Sequence, residues 1–284
     1  MKVIWLFVDG LGLGKSGAQN PLYAPEINKL NELLLTAKPI DASLGVPGIP
    51  QSATGQTSIF CGVNAQKIIG THLEGFPTKS LREIISRENV YIKVREMGLT
   101  STFANGYWID QNRELPHDRK SYASVSTVSA ATGLGDVRRM DAILRGDAVY
   151  QDLTQESIVA RGGDVEIITP VESAHRLLRI AEKYDLTVFE YFQTDRAGHS
   201  QDFDLAIKVL LNLQQFVVTL SENLPDNICI ILMSDHGNIE DLSTPIHTLN
   251  KVPFLLIYKK SVSLKQNIND LTDILPATLE FLIT

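Results

Sequence analysis

Three aspartates and three histidines stand where such side chains can do chemistry. Asp9 closes an apolar run, residues 3–8. Asp195 and His199 follow a second run, 186–192, and are four residues apart. Asp235 and His236 are adjacent and follow a third, 228–232. His247 precedes a fourth, which starts at Val252. Carboxylate oxygen and imidazole nitrogen together suit divalent ions such as Mn²⁺ or Zn²⁺. Six such ligands are too many for one four-coordinate ion and suit two ions with open positions. A pair of divalent ions roughly 3.5–4 Å apart clamps the attacking and leaving oxygens of phosphoryl transfer. Singly, each acid also reads as a turn or helix cap, and each histidine as a packing residue. Their joint placement argues for a site. The other histidines, His72, His117 and His175, fall outside these places and are expected in surface or packing roles.

The elements that must position these groups follow from periodicity. The apolar runs read as buried strands, and in a parallel sheet the strand C-termini share one edge, where ligands bind. Five of the six candidates follow strand ends, and His247 lies in a loop able to reach that edge. Residues 25–35, 81–97, 170–184, 203–220 and 271–282 carry helical spacing, with a possible break near Asn89. Residues 99–104 and 165–168 read as further strands, and 63–80 as loop. Ser52 to Ser58 reads as a helix start rich in hydroxyls, which favours capping and presents backbone N–H groups to an anion. Alternating strands and helices predict an α/β fold: a mostly parallel sheet with helices on both faces, in a single domain spanning 1–284. Residues 105–163, the least regular stretch, are expected to form a small cap or insert.

Composition narrows the function classes. The net charge is −7 with no basic run, which argues against a nucleic-acid partner. A small anionic substrate stays compatible, because metal ions supply local positive charge. Gly10, Gly12 and Gly14 alternate and lack the Gly-x-Gly-x-x-Gly spacing of a dinucleotide loop. Cys61 and Cys229 sit in apolar surroundings and read as buried thiols. The N-terminal apolar run is too short for a signal peptide. No stretch is expected to reach the ~20 apolar residues of a membrane span. A soluble cytoplasmic protein is the expectation; the sequence does not indicate an oligomeric state.

The segments Val8-Asp9-Gly10, Asp195-x-x-Gly198-His199, Ser234-Asp235-His236-Gly237-Asn238 and His247-Thr248-x-Asn250-x-Val252-Pro253-Phe254 resemble the alkaline phosphatase superfamily. Within it they are most similar to cofactor-independent phosphoglycerate mutases and phosphopentomutases. The resemblance covers the first ~60 residues and about 185 to 284. It implies one ion held by Asp195, His199 and His247, and another held by Asp9, Asp235, His236 and a nucleophile. In the mutases that nucleophile is a serine three residues before a glycine at a helix start. Ser52 stands so before Gly55, with Thr54 the alternative. The implied chemistry is attack of a metal-activated serine on phosphorus, a phosphoserine intermediate, and transfer to water or another hydroxyl. The chain departs from the mutases in lacking their large transferase insert. Gln51-Ser52-Ala53-Thr54 replaces their Asn-Ser-Glu-Val, and Gln56 stands where they have histidine. Hydrolysis of a small phosphate ester is therefore expected ahead of mutase activity. Arg138, Arg139 and Arg145, in the expected cap, are candidate substrate clamps. The alternatives are a phosphomutase, a phosphonate or sulfate ester hydrolase, and a non-catalytic metal-binding module. Residues 52–56 lack the Cys/Ser-x-Pro-x-Arg context of sulfatases.

Overall fold

Every residue from Val3 to Val8 is buried, which a strand achieves only when both faces of its sheet are covered. Side chains alternate across that strand. Val3, Trp5 and Phe7 enter one apolar cluster, and Ile4, Leu6 and Val8 the other. A computed structural model of the protein describes residues 1–110, 123–259 and 267–283; His117 lies outside them.

The main sheet is built from β1 (Lys2–Val8), β2 (Lys38–Ile40), β3 (Ser101–Phe103), β6 (Leu186–Tyr191), β7 (Ile228–Met233) and β8 (Val252–Ile257). A separate small pair joins β4 (Asn105–Gly106) to β5 (Val149–Tyr150). The order across the main sheet is β2-β8-β7-β1-β6-β3. β7, β1, β6 and β3 are parallel, while β8 runs antiparallel to both β7 and β2. On one face lie the helices Ser52–Cys61, Lys79–Glu88, Val90–Glu96, Val125–Leu134 and Ile274–Leu282; on the other lie Asn28–Leu34, Pro170–Ala181 and Phe203–Glu222. The first face is locked around Phe60, whose ring meets Trp5 and Phe7 edge-on, and Trp5 donates its indole N–H to Thr278 Oγ1 at 2.6 Å.

Four expectations need correction. Residues 63–80 contain a short helix, Ala65–Ile69, capped by the Asn64 side chain. Residues 165–168 form no strand; they run past the molecule with Ile167 exposed and Ile168 N–H bonded to the Thr154 carbonyl. Within 105–163 the described residues do not gather into one cap. The Val125–Leu134 helix packs into the main core, and only a small satellite cluster around Ile143, Ala148, Tyr150 and Ile158 stands apart. The Phe203–Glu222 helix is, by length and apolarity, long enough to cross a membrane. Its apolar face, with Val209, Leu213 and Phe216, is buried against the sheet side, as the core helix of a globular fold would be. The break near Asn89 is real: Asn89 is extended, and its side chain accepts from Tyr91 and Ile92 N–H to start the next helix.

Candidate metal centre

β1, β6 and β7 end on the same rim because they are parallel, so Asp9, the Asp195 helix and Asp235-His236 emerge side by side. His247 reaches that rim because β8 is antiparallel. Its N-terminal end lies where β7 finishes, with Met233 opposite Phe254. The short helix Gln193–Ser200 then sets Asp195 and His199 one turn apart on one side.

The donor atoms converge. His199 Nε2 and His247 Nε2 lie 3.1 Å apart, and they lie 3.3 and 3.4 Å from the two Asp195 oxygens. Their Nδ1 atoms donate to backbone carbonyls, His199 to Pro245 at 2.7 Å and His247 to Pro50 at 3.1 Å. That leaves both Nε2 atoms turned toward each other and toward Asp195, the orientation of metal-ligating imidazoles whose other nitrogen is held by a carbonyl. A second group forms around His236 Nε2, which lies 3.3 Å from Asp9 Oδ1, 3.5 Å from Asp235 Oδ2 and 2.9 Å from Ser52 Oγ. Asp9 Oδ1 and Asp235 Oδ2 are buried without a hydrogen-bond partner among the described residues. Orphaned carboxylate oxygens in a buried cluster are costly unless a cation meets them. The ligand atoms of Asp195, His199 and His247 lie within 4.8 Å of one another, as do those of Asp9, Asp195 and His236. Asp195 thus faces both groups. The donor set and its orphaned oxygens fit two divalent ions.

Electrostatics agree. Burial, reinforced by Asp235 and Asp195, pushes the Asp9 carboxyl well up. Burial and then the Asp195 charge raise Asp235 to about 8. Burial also pushes Asp195 upward, but the hydrogen bonds from His199 and His247 prevail and hold it well below the usual carboxylate range. The same contact raises His199 to about 9.

Ser52 heads its helix with its hydroxyl in the cluster. Thr54 is fully buried; its Oγ1 donates to the Gln51 carbonyl at 3.3 Å and accepts from Leu73 N–H at 3.2 Å. The helix start offers fewer free amides than expected, because Ala53 and Thr54 N–H both bond to the Leu73 carbonyl. Gln56 donates to Asp9 Oδ2 at 3.2 Å. A cleft of about 580 Å³ opens from Asp9, Ser52 and Asp195.

None of the three candidate clamp arginines lines that cleft. Arg138 is held by Thr102 Oγ1 at 2.5 Å and by the carbonyls of Phe103 at 2.6 Å and Asp147 at 2.7 Å, tying the satellite cluster to β3. Arg139 pairs with Asp136, and Arg145 with Asp141 and Asp147. The cleft instead carries Arg161 and Arg196, each set by tertiary placement that local sequence does not encode. His72 donates from Nε2 to the Val46 carbonyl, and His175 rides its helix half-buried.

One residue went unnoticed in the sequence. Glu240 is 2% exposed. Its carboxylate accepts from Gly12 N–H at 3.0 Å, Asn238 N–H at 2.8 Å, Thr248 Oγ1 at 2.5 Å and Asn250 Nδ2 at 3.0 Å. It ties together the loops that follow Asp9, follow His236 and follow His247. This explains the glycines: a Cβ on Gly12 would lie 2.1 Å from Glu240 Oε1, and one on Gly237 2.2 Å from it. In the sequence Glu240 sits beside Asp241 in a polar loop, with nothing local to distinguish it. Glu240→Ala leaves four donors without their acceptor and is expected to destabilise the fold by about 3 kcal/mol, with Glu240→Gln losing less. Urea unfolding of the two variants measures this, and equal losses would contradict it.

Comparison with known proteins places this geometry. A family model described as the Metalloenzyme superfamily matches residues 1–284. Among curated proteins the chain is similar to the 2,3-bisphosphoglycerate-independent phosphoglycerate mutase of Ehrlichia canis (strain Jake), 31% identical over 110 residues covering 36% of this chain and 22% of that one. The mutase of Clostridium kluyveri is 33% identical over 107 residues, 35% of this chain and 21% of that one. The matched segment spans about a fifth of those mutases' length. Among solved structures, alkaline phosphatase from the Antarctic bacterium TAB5 superposes with a TM-score of 0.55 at 14% identity, covering 99% of this chain and 98% of that one. The PH0037 protein from Pyrococcus horikoshii gives 0.53 at 14%, covering 99% and 96%. These likenesses show an alkaline-phosphatase-like fold. Because the family model runs from the first residue to the last, the chain belongs to the Metalloenzyme superfamily.

Proposed function

We propose that this protein is a metal-dependent phosphoric ester hydrolase or phosphotransferase acting on a small phosphate ester through Ser52. The observation that carries the reading is the position of Ser52 Oγ, 2.9 Å from His236 Nε2, at the point where both ligand groups meet the cleft. Divalent ions, Mn²⁺ or Zn²⁺, held by Asp195, His199 and His247 and by Asp9, Asp235 and His236, would neutralise phosphate oxygens and lower the pKa of the serine hydroxyl.

The chain's own residues supply the rest. The helix fixes the Ser52 Cα at the rim, and the hydroxyl, once its proton is lost, attacks phosphorus. The Ser52 proton passes to solvent; as the bond from phosphorus to the ester oxygen breaks, that oxygen takes a proton from solvent in the cleft. Water or a second hydroxyl then attacks phosphorus, gives up its proton and displaces Ser52, whose oxygen is reprotonated. Gln56 keeps Asp9 turned into the cluster through its hydrogen bond to Oδ2. Asn238 does the same for Asp195, donating to Oδ1 at 2.7 Å. Likeness to mutases supports phosphotransfer, and the lack of a mutase-sized insert favours water as acceptor.

The test is a panel of phosphate and sulfate monoesters with Mn²⁺ or Zn²⁺, read as released phosphate or sulfate. Turnover of phosphate esters well above sulfate esters is expected. Stoichiometric metal binding without turnover of any ester would leave a non-catalytic metal module as the better reading.

A further inference from the structure

The cleft is far larger than a phosphate group, and its walls have a definite character. Aromatic side chains from four separate stretches line it: Phe76, Tyr107 with Trp108, Tyr150, and Phe192. The parallel pairing of Gly106 with Tyr150 brings two of these stretches together just beyond β4 and β5. Gln193 Nε2 donates to Gln151 Oε1, linking the Tyr150 stretch to the Phe192 stretch.

The rings are held before any ligand arrives. The Tyr107 hydroxyl is bonded to Thr127 Oγ1 at 2.5 Å, and its ring packs on Phe103. Tyr150 Oη accepts from Arg161 Nη2 at 3.3 Å, and the Arg196 guanidinium lies over the Phe192 ring at 5.9 Å. Trp108 packs against the Ile143–Ile158 satellite cluster. Of the chain's two tryptophans, Trp5 is sealed in the core and Trp108 faces the cleft. Phe76 stands 46% exposed at the same cleft. The anchored rings of Tyr107, Trp108, Tyr150 and Phe192 complement a flat apolar body, which they contact with little further loss of side-chain freedom. The polar side chains on the same walls are already engaged, Gln56 with Asp9, Asn105 with the Glu190 carbonyl, Glu190 with Ser126 and Gln151 with Gln193, so a polyol would have to compete for them.

We infer that the ester's leaving group is an aromatic ring, seated against Trp108 and Phe76 while its phosphate lies at Ser52; this rests on the phosphoester reading above. Arg196 and Arg161 are matched with no carboxylate among the described residues, unlike Arg139, Arg145, Arg176 and Arg179. They therefore keep the cleft suited to an anionic ester on a chain of net charge −7.

Full-length Ser52→Ala protein loaded with Mn²⁺ provides the test, because it binds esters without consuming them. Calorimetry with phenyl phosphate and with glycerol phosphate should give an affinity at least tenfold higher for the phenyl ester. Adding Trp108→Ala should remove most of that ratio while moving glycerol phosphate affinity less than twofold. Phe76→Ala, at an exposed position, provides the same comparison if the tryptophan variant folds poorly. Equal affinities for the two esters overturn the inference and leave the phosphoester reading standing. Failure of inorganic phosphate to bind the loaded protein removes that reading and this one with it.

Discussion

Ser52→Ala is expected to lower turnover of any phosphate ester by roughly 10⁴-fold or more, the scale seen when a nucleophile is deleted, with metal content and folded stability nearly unchanged. The hydroxyl is the group removed, and the backbone that forms the helix start stays intact. Among the described residues its one side-chain hydrogen bond is to His236 Nε2, so the loss falls on chemistry more than on the hydrogen bonding of the fold. Phosphoenzyme formation, followed with labelled ester and rapid acid quench, should vanish. Thr54→Ala is the matching control. Thr54 Oγ1 is already engaged, donating to Gln51 O and accepting from Leu73 N–H. Its loss should cost about 1 kcal/mol of stability and leave the phosphoenzyme. If Thr54→Ala abolishes the phosphoenzyme and Ser52→Ala does not, the nucleophile is Thr54.

The sequence was legible where burial on both faces leaves a plain mark. β1, β6 and β7 read as unbroken apolar runs because helices cover both sides of the sheet. A polar residue ending such a run is conspicuous, which is why Asp9, Asp235 and His236 stood out. His247 stands in a loop able to reach the rim, but nothing local distinguishes an antiparallel β8 from a parallel one. Residues 165–168 misled because a short alternating stretch is compatible with a strand, yet pairing needs a partner that the fold does not provide. Cleft arginines were missed for a related reason. Arg138 looked available and is consumed by backbone carbonyls, while Arg161 and Arg196 gain their position from the folding of the Tyr150 stretch and the Asp195 helix. Glu240 was invisible because its role is to accept four hydrogen bonds from three loops, a relation that exists only once the loops meet.

Stripping divalent ions with a chelator should have an effect of comparable size, and its pH dependence has a definite sign. Without ions, Asp235 titrates near 8 in the folded chain against an ordinary value of 3.8, and Asp9 is raised as well. A raised carboxyl is bound more tightly to its proton when folded, so its contribution to stability is complete below about pH 4 and is lost as pH climbs through 8. The ion-free protein should therefore lose thermal stability as pH rises from 4 to 8.5. Divalent ions must displace those protons, and the proton on His199, raised to about 9 by Asp195, so their affinity should increase over the same range. At a hundredfold excess over its dissociation constant an ion adds about 2.7 kcal/mol, or roughly 4–5 °C in Tm for a chain of this size. Scanning calorimetry with and without Mn²⁺ should show that increment near pH 8.5 and a much smaller one near pH 5.5. Asp235→Asn, which keeps shape and removes charge, should cut bound metal by about one equivalent and flatten the ion-free stability curve. An increment independent of pH, or an unchanged metal count in Asp235→Asn, would mean that these carboxylates do not face a cation.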